Sequence, residues 1–410
     1  MNPFSALVLK DFRTYWIGSL FAMVGHRLII VAISLLIYRL TDSAISLGIV
    51  AASSAIPIML FNFIGGIISD KYNIRRILFF LSFLIFLILI YLGYLDYSGV
   101  VQPYHVYICS ILLGILLGID FPARNAYFPK IIPEKYLRSG ISLNGATMAG
   151  SSVVVPTIGG FLIAEYGSFI GILLSAIGYL VMSISTFFIP SVSIPKDNSS
   201  NLSFFTEGFS YVVKNELFYC LILLTYCTNF FIFGYIQALP AFIDVFNGTP
   251  RDLGLMFSCA GLGALSGLLT AGKVNINKNL GAIILSSATF FSVLIILVSL
   301  VGVGIMPTYL PFTNILLIFP LATIGHFGNG FYMLSTYAVI QSKVPENIRG
   351  RVMGFVAIHI SIGVLGGLWV GGIGEIFNMR VGVGSGPIIC IILIIYLYIF
   401  KKSIRNLQKI

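Results

Sequence analysis

The sequence predicts an all-α integral membrane protein with twelve transmembrane helices, and three observations support this fold class. Of the 410 residues, 58% are hydrophobic and only 9% are charged, whereas soluble domains carry about 25% charged residues. The apolar residues fall into long runs, and a helix that spans a bilayer needs about 20 of them. The segments between the runs are short, so the chain has no room for a soluble domain of any size.

The apolar runs define the predicted elements in chain order. The spans lie near residues 15–38, 45–68, 77–95, 104–122, 141–164, 169–189, 217–243, 253–272, 280–302, 310–334, 352–374 and 386–400. The chain divides after the sixth span at a polar linker. Within this linker Phe204–Lys214 reads as an amphipathic helix that could lie on the inner membrane surface. We therefore expect six-helix halves at residues 1–190 and 216–410, joined by a cytoplasmic linker at 191–215.

The basic residues predict the orientation. The chain has 24 Lys and Arg and a formal net charge of +10. When the N-terminus is placed in the cytoplasm, only Arg39, Arg251 and Arg380 fall on the outer side, and Arg27 lies within a span. All the others fall on the inner side, as the positive-inside rule requires. We expect both termini in the cytoplasm and no nucleic-acid partner, because topology accounts for the charge.

The cysteines and the other reactive side chains indicate no enzyme. All five cysteines lie within predicted spans without metal-ligand spacing, so we expect neither disulfides nor a metal site. No nucleophile–base arrangement or phosphate-binding loop is visible, and no cofactor is implied.

Two features of the first half recur in the second. Pro133–Arg138 (PEKYLR) leads into the fifth span, and Pro345–Arg351 (PENIRGR) leads into the eleventh. Downstream, Gly159-Gly160 with Glu165 parallels Gly371-Gly372 with Glu375. An offset near half the chain indicates parallel halves related by a pseudo-twofold axis. Coincidence among Gly-rich helices is the alternative.

The segment between the second and third spans, Gly66–Arg76, packs one acid and three bases into a few residues. It resembles the loop 2–3 signature of the major facilitator superfamily, Gly-x-x-x-Asp-Arg/Lys-x-x-Arg/Lys-Arg/Lys. The matching residues are Gly66, Asp70, Lys71, Arg75 and Arg76, whereas Asn73 and Ile74 depart from the signature. A solvated loop that obeys the positive-inside rule is the alternative interpretation.

Other stretches are similar to a subgroup that includes enterobactin exporters and macrolide efflux proteins. They are Phe12-Arg13-x-Tyr15-Trp16-x-Gly18, Pro122-Ala123-Arg124-Asn125, Asn144, and a second-half loop containing Pro345, Arg349, Gly350 and Arg351. The resemblance implies the major facilitator fold, a small-molecule cargo, alternating access by the two halves, and a monomer.

The pair His26-Arg27 lies near the middle of the first span. At 1.5 Å per residue, Arg27 is about 16 Å from either interface. An ionised Arg there costs at least about 2.5–3.5 kcal/mol unless it faces water or a partner. The subgroup commonly has Gly-Asp at this place, but here Gly25 is followed by His26. We expect Arg27 to contact cargo and His26 to be sensitive to protons.

The second half contributes four further polar candidates, namely Asn229, His326, Asn329 and His359. The resemblance implies that the first, fourth, seventh and tenth helices line a central cavity, which would group these residues around one site. For each of them an ordinary hydrogen bond between helices is the alternative.

The carboxylates lie in loops or near span ends, and none lies at the predicted midplane. A cavity whose only fixed charge is Arg27 favours neutral or anionic cargo. Asp120, near the inner end of the fourth span, is expected to pair with Arg75, Arg76 or Arg124 and latch an inner gate. Asp70 is expected to lie against the eleventh helix. For Asp120, simple solubility of a span end is the alternative.

The fifth span carries Pro156-Thr157-Ile158-Gly159-Gly160, which resembles the antiporter signature Gly-Pro-x-x-Gly, with Val155 in place of the first Gly. Proline bends a helix and glycine permits close packing, so Pro156, Gly159 and Gly160 form a predicted hinge.

Together these features predict a proton-coupled exporter of a small neutral or anionic molecule, embedded in the bilayer of the cell membrane, with His26 and His326 as proton-sensitive groups. A facilitator or importer of a small metabolite, or a non-transporting membrane sensor, is the alternative.

Overall fold

The computed structural model describes residues 4–191, 201–273, 279–302, 314–405 and 407. The six helices of the first half are α1 (Lys10–Thr41), α2 (Ala44–Lys71), α3 (Ile74–Tyr97), α4 (Pro103–Tyr127), α5 (Glu134–Tyr166) and α6 (Ser168–Ser185). They are followed by α7 (Asn201–Lys214), α8 (Glu216–Cys227), α9 (Leu239–Asp244), α10 (Pro250–Lys273), α11 (Leu280–Leu300), α12 (Asn314–Lys343), α13 (Glu346–Ala357), α14 (His359–Ile376), α15 (Met379–Phe400) and α16 (Lys402–Arg405).

Twelve helical segments of the described residues are long and apolar enough to cross a membrane, which confirms the predicted fold class. The helices form two compact units. The first unit comprises Met1–Asp42 and Val50–Ser199, and the second comprises Ser43–Ile49 and Ser200–Ile410.

Small residues bring the helices of the first unit close together. A side chain at Gly25 of α1 would lie 2.8 Å from the backbone oxygen of Ser175 on α6. On α4, a side chain at Gly118 would lie 3.0 Å from the oxygen of Ile58, so this face of α4 packs on α2. Such backbone contact is typical of helices packed in lipid. It leaves the other faces of α1 and α4 to line the interior of the unit.

The second unit contains two interrupted helices. After α8, the chain forms a π-helical turn at Thr228–Ile232 and a 3₁₀ segment at Phe233–Ala238 before α9 begins. The eleventh span is divided between α13 and α14 at Ile358. A side chain at Gly234 would lie 2.5 Å from the carbonyl carbon of Gly366 on α14, so the two interrupted segments pack backbone to backbone.

The helices extend beyond the apolar runs, and this corrects two sequence expectations. Only Tyr72 and Asn73 connect α2 to α3, so most of the predicted loop Gly66–Arg76 is helical. Asn73 ends the turn by accepting a hydrogen bond from the backbone N–H of Arg75 at 3.1 Å. Similarly, Arg349, Gly350 and Arg351 lie within α13 and not in a loop.

The predicted linker helix is present as α7, whose side chains are described from Glu207 onward. Val212 is buried in a core cluster with Phe218, whereas Phe209 and Val213 are exposed. Glu207 forms an ion pair with Arg351 of α13. Phe205 lies outside the residues whose side chains are described.

Candidate functional site

A cavity opens inside the first unit among α1, α4, α5 and α6. Its free volume is about 50 Å³, and its lining residues are Ala22, Met23, His26, Arg27, Leu117, Asp120, Phe121, Arg124, Met148, Ser151 and Tyr179. Pockets that enclose a whole drug-sized ligand measure about 300–1,000 Å³. In this conformation the cavity therefore has room for one functional group of a cargo molecule.

Helical periodicity explains why these side chains meet. On α4, Leu117, Asp120, Phe121 and Arg124 follow one another at three- and four-residue spacing, which places them on one face of the helix. The glycines Gly114 and Gly118 lie on a different face, which packs on α2.

Asp120 and Arg124 form a buried ion pair within this cavity. The Arg124 Nε donates to Asp120 Oδ2 at 2.5 Å, and the two residues are 9% and 4% exposed. The pair uses only the side of the guanidinium that carries Nε. Among the described residues, Arg124 Nη1 and Nη2 and Asp120 Oδ1 have no hydrogen-bond partner. Buried groups of this kind are normally satisfied, because an unmade bond costs about 1–3 kcal/mol or more for charged groups.

This arrangement changes the charge expected for the cavity. Asp120 lies about 10 Å before the end of α4, because the helix continues to Tyr127 at 1.5 Å per residue. It therefore lines the cavity together with Arg124. The expectation that Arg27 is the only fixed charge is wrong: two guanidinium groups face one carboxylate. Of the predicted partners of Asp120, the structure pairs it with Arg124.

His26 and Arg27 line the same cavity from α1 and are half-buried. The His26 ring meets Phe121 edge-on, with ring centroids 5.9 Å apart, and His26 Nδ1 has no partner among the described residues. The structure thus groups His26 and Arg27, the predicted cargo and proton residues, with Asp120 and Arg124, the predicted gate residues.

His326 lies in different surroundings. It is fully buried in the second unit, and its ring lies against Phe233, Tyr235 and Phe291 with centroids 5.2–6.1 Å apart. Its Nδ1 lies 2.9 Å from the Ala322 oxygen, one turn back on α12. These contacts are those of a core histidine.

Of the remaining polar candidates, Asn229 and His359 lie at the interruptions of the second unit, and Asn329 lies within a continuous helix. Asn229 lies in the π-helical turn and donates to the Thr225 oxygen at 2.8 Å. His359 begins α14, with its Nδ1 2.6 Å from the Val356 oxygen and 3.4 Å from Tyr337 Oη. Asn329 lies on α12 and is half-buried.

For the residues assigned to gating and to the hinge, the structure shows local contacts, and both assignments stay predictions. Arg75 Nη2 donates to the Phe187 oxygen at 3.0 Å and so connects α3 to the end of α6. The side chains of Asp70 and Lys71 lie outside the described part of the chain. Pro156 lies inside an uninterrupted α5, and Gly159 faces Leu28 of α1. The hinge stays a prediction.

Sequence reasoning missed the lining residues Met23, Phe121, Met148, Ser151 and Tyr179. The spacing of Leu117, Asp120, Phe121 and Arg124 carried a signal, because it places an acid and a base on one helical face. The fourth span was ended at residue 122, since the apolar run stops there. That boundary excluded Arg124 from the interior.

A multi-pass helical protein with charged side chains around an interior cavity is compatible with a membrane transporter, and the comparisons with known proteins identify the family. Residues 15–367 match the model of the Major Facilitator Superfamily. The chain therefore belongs to this superfamily of small-molecule transporters.

Two relatives align with most of the chain at low identity. The uncharacterized MFS-type transporter YfiS of Bacillus subtilis strain 168 is 22% identical over 379 residues, which cover 89% of this chain and 86% of YfiS. The enterobactin exporter EntS of Escherichia coli strain K12 is 22% identical over 402 residues, covering 97% and 93%. The crystal structure of the nucleoside transporter NupG superimposes with a TM-score of 0.68 at 15% identity, covering 94% of this chain and 96% of that one. This last likeness concerns the fold alone.

Proposed function

We propose that this chain exports a small organic molecule, neutral or anionic, across the cell membrane in exchange for protons, with both termini in the cytoplasm. The observation that carries the proposal is the cavity of the first unit, where two guanidinium groups face a single carboxylate. A permanently cationic cargo would meet a net positive charge in a poorly solvated interior, which is unfavourable.

Export as the direction is supported by the relative EntS, which is an exporter and aligns with 97% of this chain. The distribution of Lys and Arg between the loops supports the orientation. For the proton-sensitive group, His26 is the stronger candidate because it lines the cavity, whereas aromatic rings surround His326.

The test uses purified protein reconstituted into liposomes that contain a trapped pH-sensitive dye. A proton gradient is imposed, and anionic, neutral and cationic compounds are screened for flux and for accompanying proton movement. We expect cargo-dependent proton movement with an anionic or neutral compound. His26→Asn should abolish the proton movement, and the matched variant His326→Asn should retain it.

Each outcome has a distinct meaning. Flux without proton movement would leave a facilitator and remove the coupling. Transport of ethidium, a permanent cation, would overturn the charge argument. Absence of flux for every class would favour the alternative that the protein is a membrane sensor.

A further inference from the structure

Arg124 lines the cavity, and one edge of its guanidinium is not used by the ion pair. A guanidinium has five N–H donors, and its two flat edges can each bind a carboxylate through a pair of parallel hydrogen bonds. Asp120 occupies the edge that includes Nε, at 2.5 Å. The adjacent edge, formed by Nη1 and Nη2, is buried and has no partner among the described residues.

The Nη1–Nη2 edge of Arg124 would stay available even if the Asp120 carboxylate rotated to bind both Nε and Nη2. A closer pairing of Asp120 would engage Nε and one hydrogen of Nη2, and would leave the donors of Nη1 and the second hydrogen of Nη2. Arg124 is only 9% exposed, so these donors are less hydrated than they would be on a surface. Unpaired N–H groups on a buried guanidinium that lines a cavity suit a ligand with planar, paired acceptors.

The rest of the lining shows what such a ligand must resemble beyond its acid group. Met23, Leu117, Phe121 and Met148 supply apolar and aromatic surface, while Arg27 adds a second positive charge from α1. The cavity volume of about 50 Å³ accommodates an acid group but not a whole drug-sized ligand. A ligand that matches this lining combines one acid group with an apolar body.

We propose that the Nη edge of Arg124 binds the carboxylate of an apolar monocarboxylic acid cargo, with Asp120 holding the guanidinium in orientation from its other edge. This inference rests on the proposed function and names the cargo class of the same site. Asp120 has two opposing effects here: it positions Arg124, and its negative charge repels the carboxylate that Arg124 attracts.

Substitutions of Arg124 and of Asp120 are therefore expected to change the affinity for the carboxylate in opposite directions. Arg124→Lys retains a positive charge but replaces the fork with a point charge. Loss of charge-assisted hydrogen bonds should weaken carboxylate binding by about 10- to 100-fold. Asp120→Asn keeps an acceptor oxygen for Nε and removes the repulsion, so carboxylate binding should tighten by about tenfold. A purely structural ion pair would give losses in both variants.

The experiment measures binding to the full chain in lipid nanodiscs by isothermal titration calorimetry. Three probes of one shape are compared, namely 1-naphthoate, the neutral 1-naphthamide and the cationic 1-naphthylmethylammonium. The matched control is Arg39→Lys, because Arg39 forms an ion pair with Asp96 in the same unit but does not line the cavity. We expect the wild type and this control to bind naphthoate alone with saturation.

Three results would overturn the proposal: no saturable naphthoate binding by the wild type, equal binding of the acid and its amide, or a shift of the same sign in Arg124→Lys and Asp120→Asn. A loss of binding in Arg124→Lys could result from misfolding. The gain in affinity expected for Asp120→Asn could not, because it requires a folded protein. Liposome flux separates the two proposals. Naphthoate binding without transport of any compound would contradict the function only, and transport of neutral compounds without acid selectivity would contradict the inference only.

Discussion

The two units of the molecule differ in the unusual feature that each contains: buried charged side chains in the first and interrupted helices in the second. In the first unit the helices α1 and α5 run uninterrupted for 32 and 33 residues. The unusual feature of this unit is that charged side chains are buried in it. The buried charged side chains of the described residues are Asp96, Asp120 and Arg124, and all belong to this unit.

The second unit shows the opposite arrangement. Its buried polar groups are Ser, Thr, Asn and His, and its irregularity lies in the backbone. A π-helical turn and a 3₁₀ segment interrupt the seventh span, and the eleventh is divided at Ile358. Such turns often occur at functional sites, and discontinuous helices are common in transporters.

The difference is informative because the units begin equivalent helices in the same way. Pro133 is the residue before α5, with φ −57° and ψ 147°, and Pro345 is the residue before α13, with φ −53° and ψ 143°. From these matching starts, α5 continues without a break, whereas α13 ends after 12 residues. The two proline-containing motifs thus begin their helices with the same backbone geometry, whereas the helices that follow differ in continuity.

The largest effect is expected for a substitution that tests whether the first unit needs the buried Asp120–Arg124 ion pair for its stability. Arg124→Gln leaves the Asp120 carboxylate buried and unpaired. Removing one partner of a buried pair typically destabilises a protein by about 3–5 kcal/mol. We expect a loss of this size in thermal or denaturant unfolding measured in detergent. The double variant Asp120→Asn/Arg124→Gln should recover most of it, and Arg13→Gln, at an exposed position of α1, should be nearly neutral.

If the double variant is as unstable as the single one, the two charges do not stabilise each other. The buried charge of the first unit would then not explain its difference from the second unit.

The second prediction concerns the backbone packing of the second unit. Gly234→Ala places a methyl group against the Gly366 backbone, which cannot move aside as a flexible side chain can. Overpacking of this kind costs about 1–3 kcal/mol. Unfolding of the variant should show this loss, and Gly350→Ala should show none, because nothing lies within 4 Å of a side chain there. A neutral Gly234→Ala would mean that the interrupted segments are loosely packed.

Much of the fold could be predicted from composition, because a bilayer imposes simple rules on length and polarity. The twelve spans are confirmed. The interruption at Thr228–Ala238 was not predicted, since an apolar run records burial and not the hydrogen-bonding pattern of the backbone. That pattern changes where the backbones of Gly234 and Gly366 approach each other, and such a long-range contact has no local signature.

The candidate site was only half predicted, for a related reason. His26 and Arg27 were found because a charge within an apolar run is conspicuous. Arg124 was assigned to the cytoplasmic side, because charged residues mark the end of a span in a composition-based reading. A buried ion pair violates that assumption, since each charge lowers the cost of burying the other.

The smallest expected effect tests the interruption of the eleventh span. Tyr226 Oη donates a hydrogen bond to the Phe355 oxygen at 2.6 Å, three residues before the break at Ile358. Interhelical hydrogen bonds in membrane proteins contribute about 0.6 kcal/mol on average. Tyr226→Phe should therefore lower the free energy of unfolding by about this amount, and Tyr219→Phe, at an exposed position, should leave it unchanged. A loss several times larger would show that Tyr226 contributes more to this segment than an average interhelical hydrogen bond, although the Phe355 oxygen also accepts a bond from the Ile358 N–H at 3.1 Å.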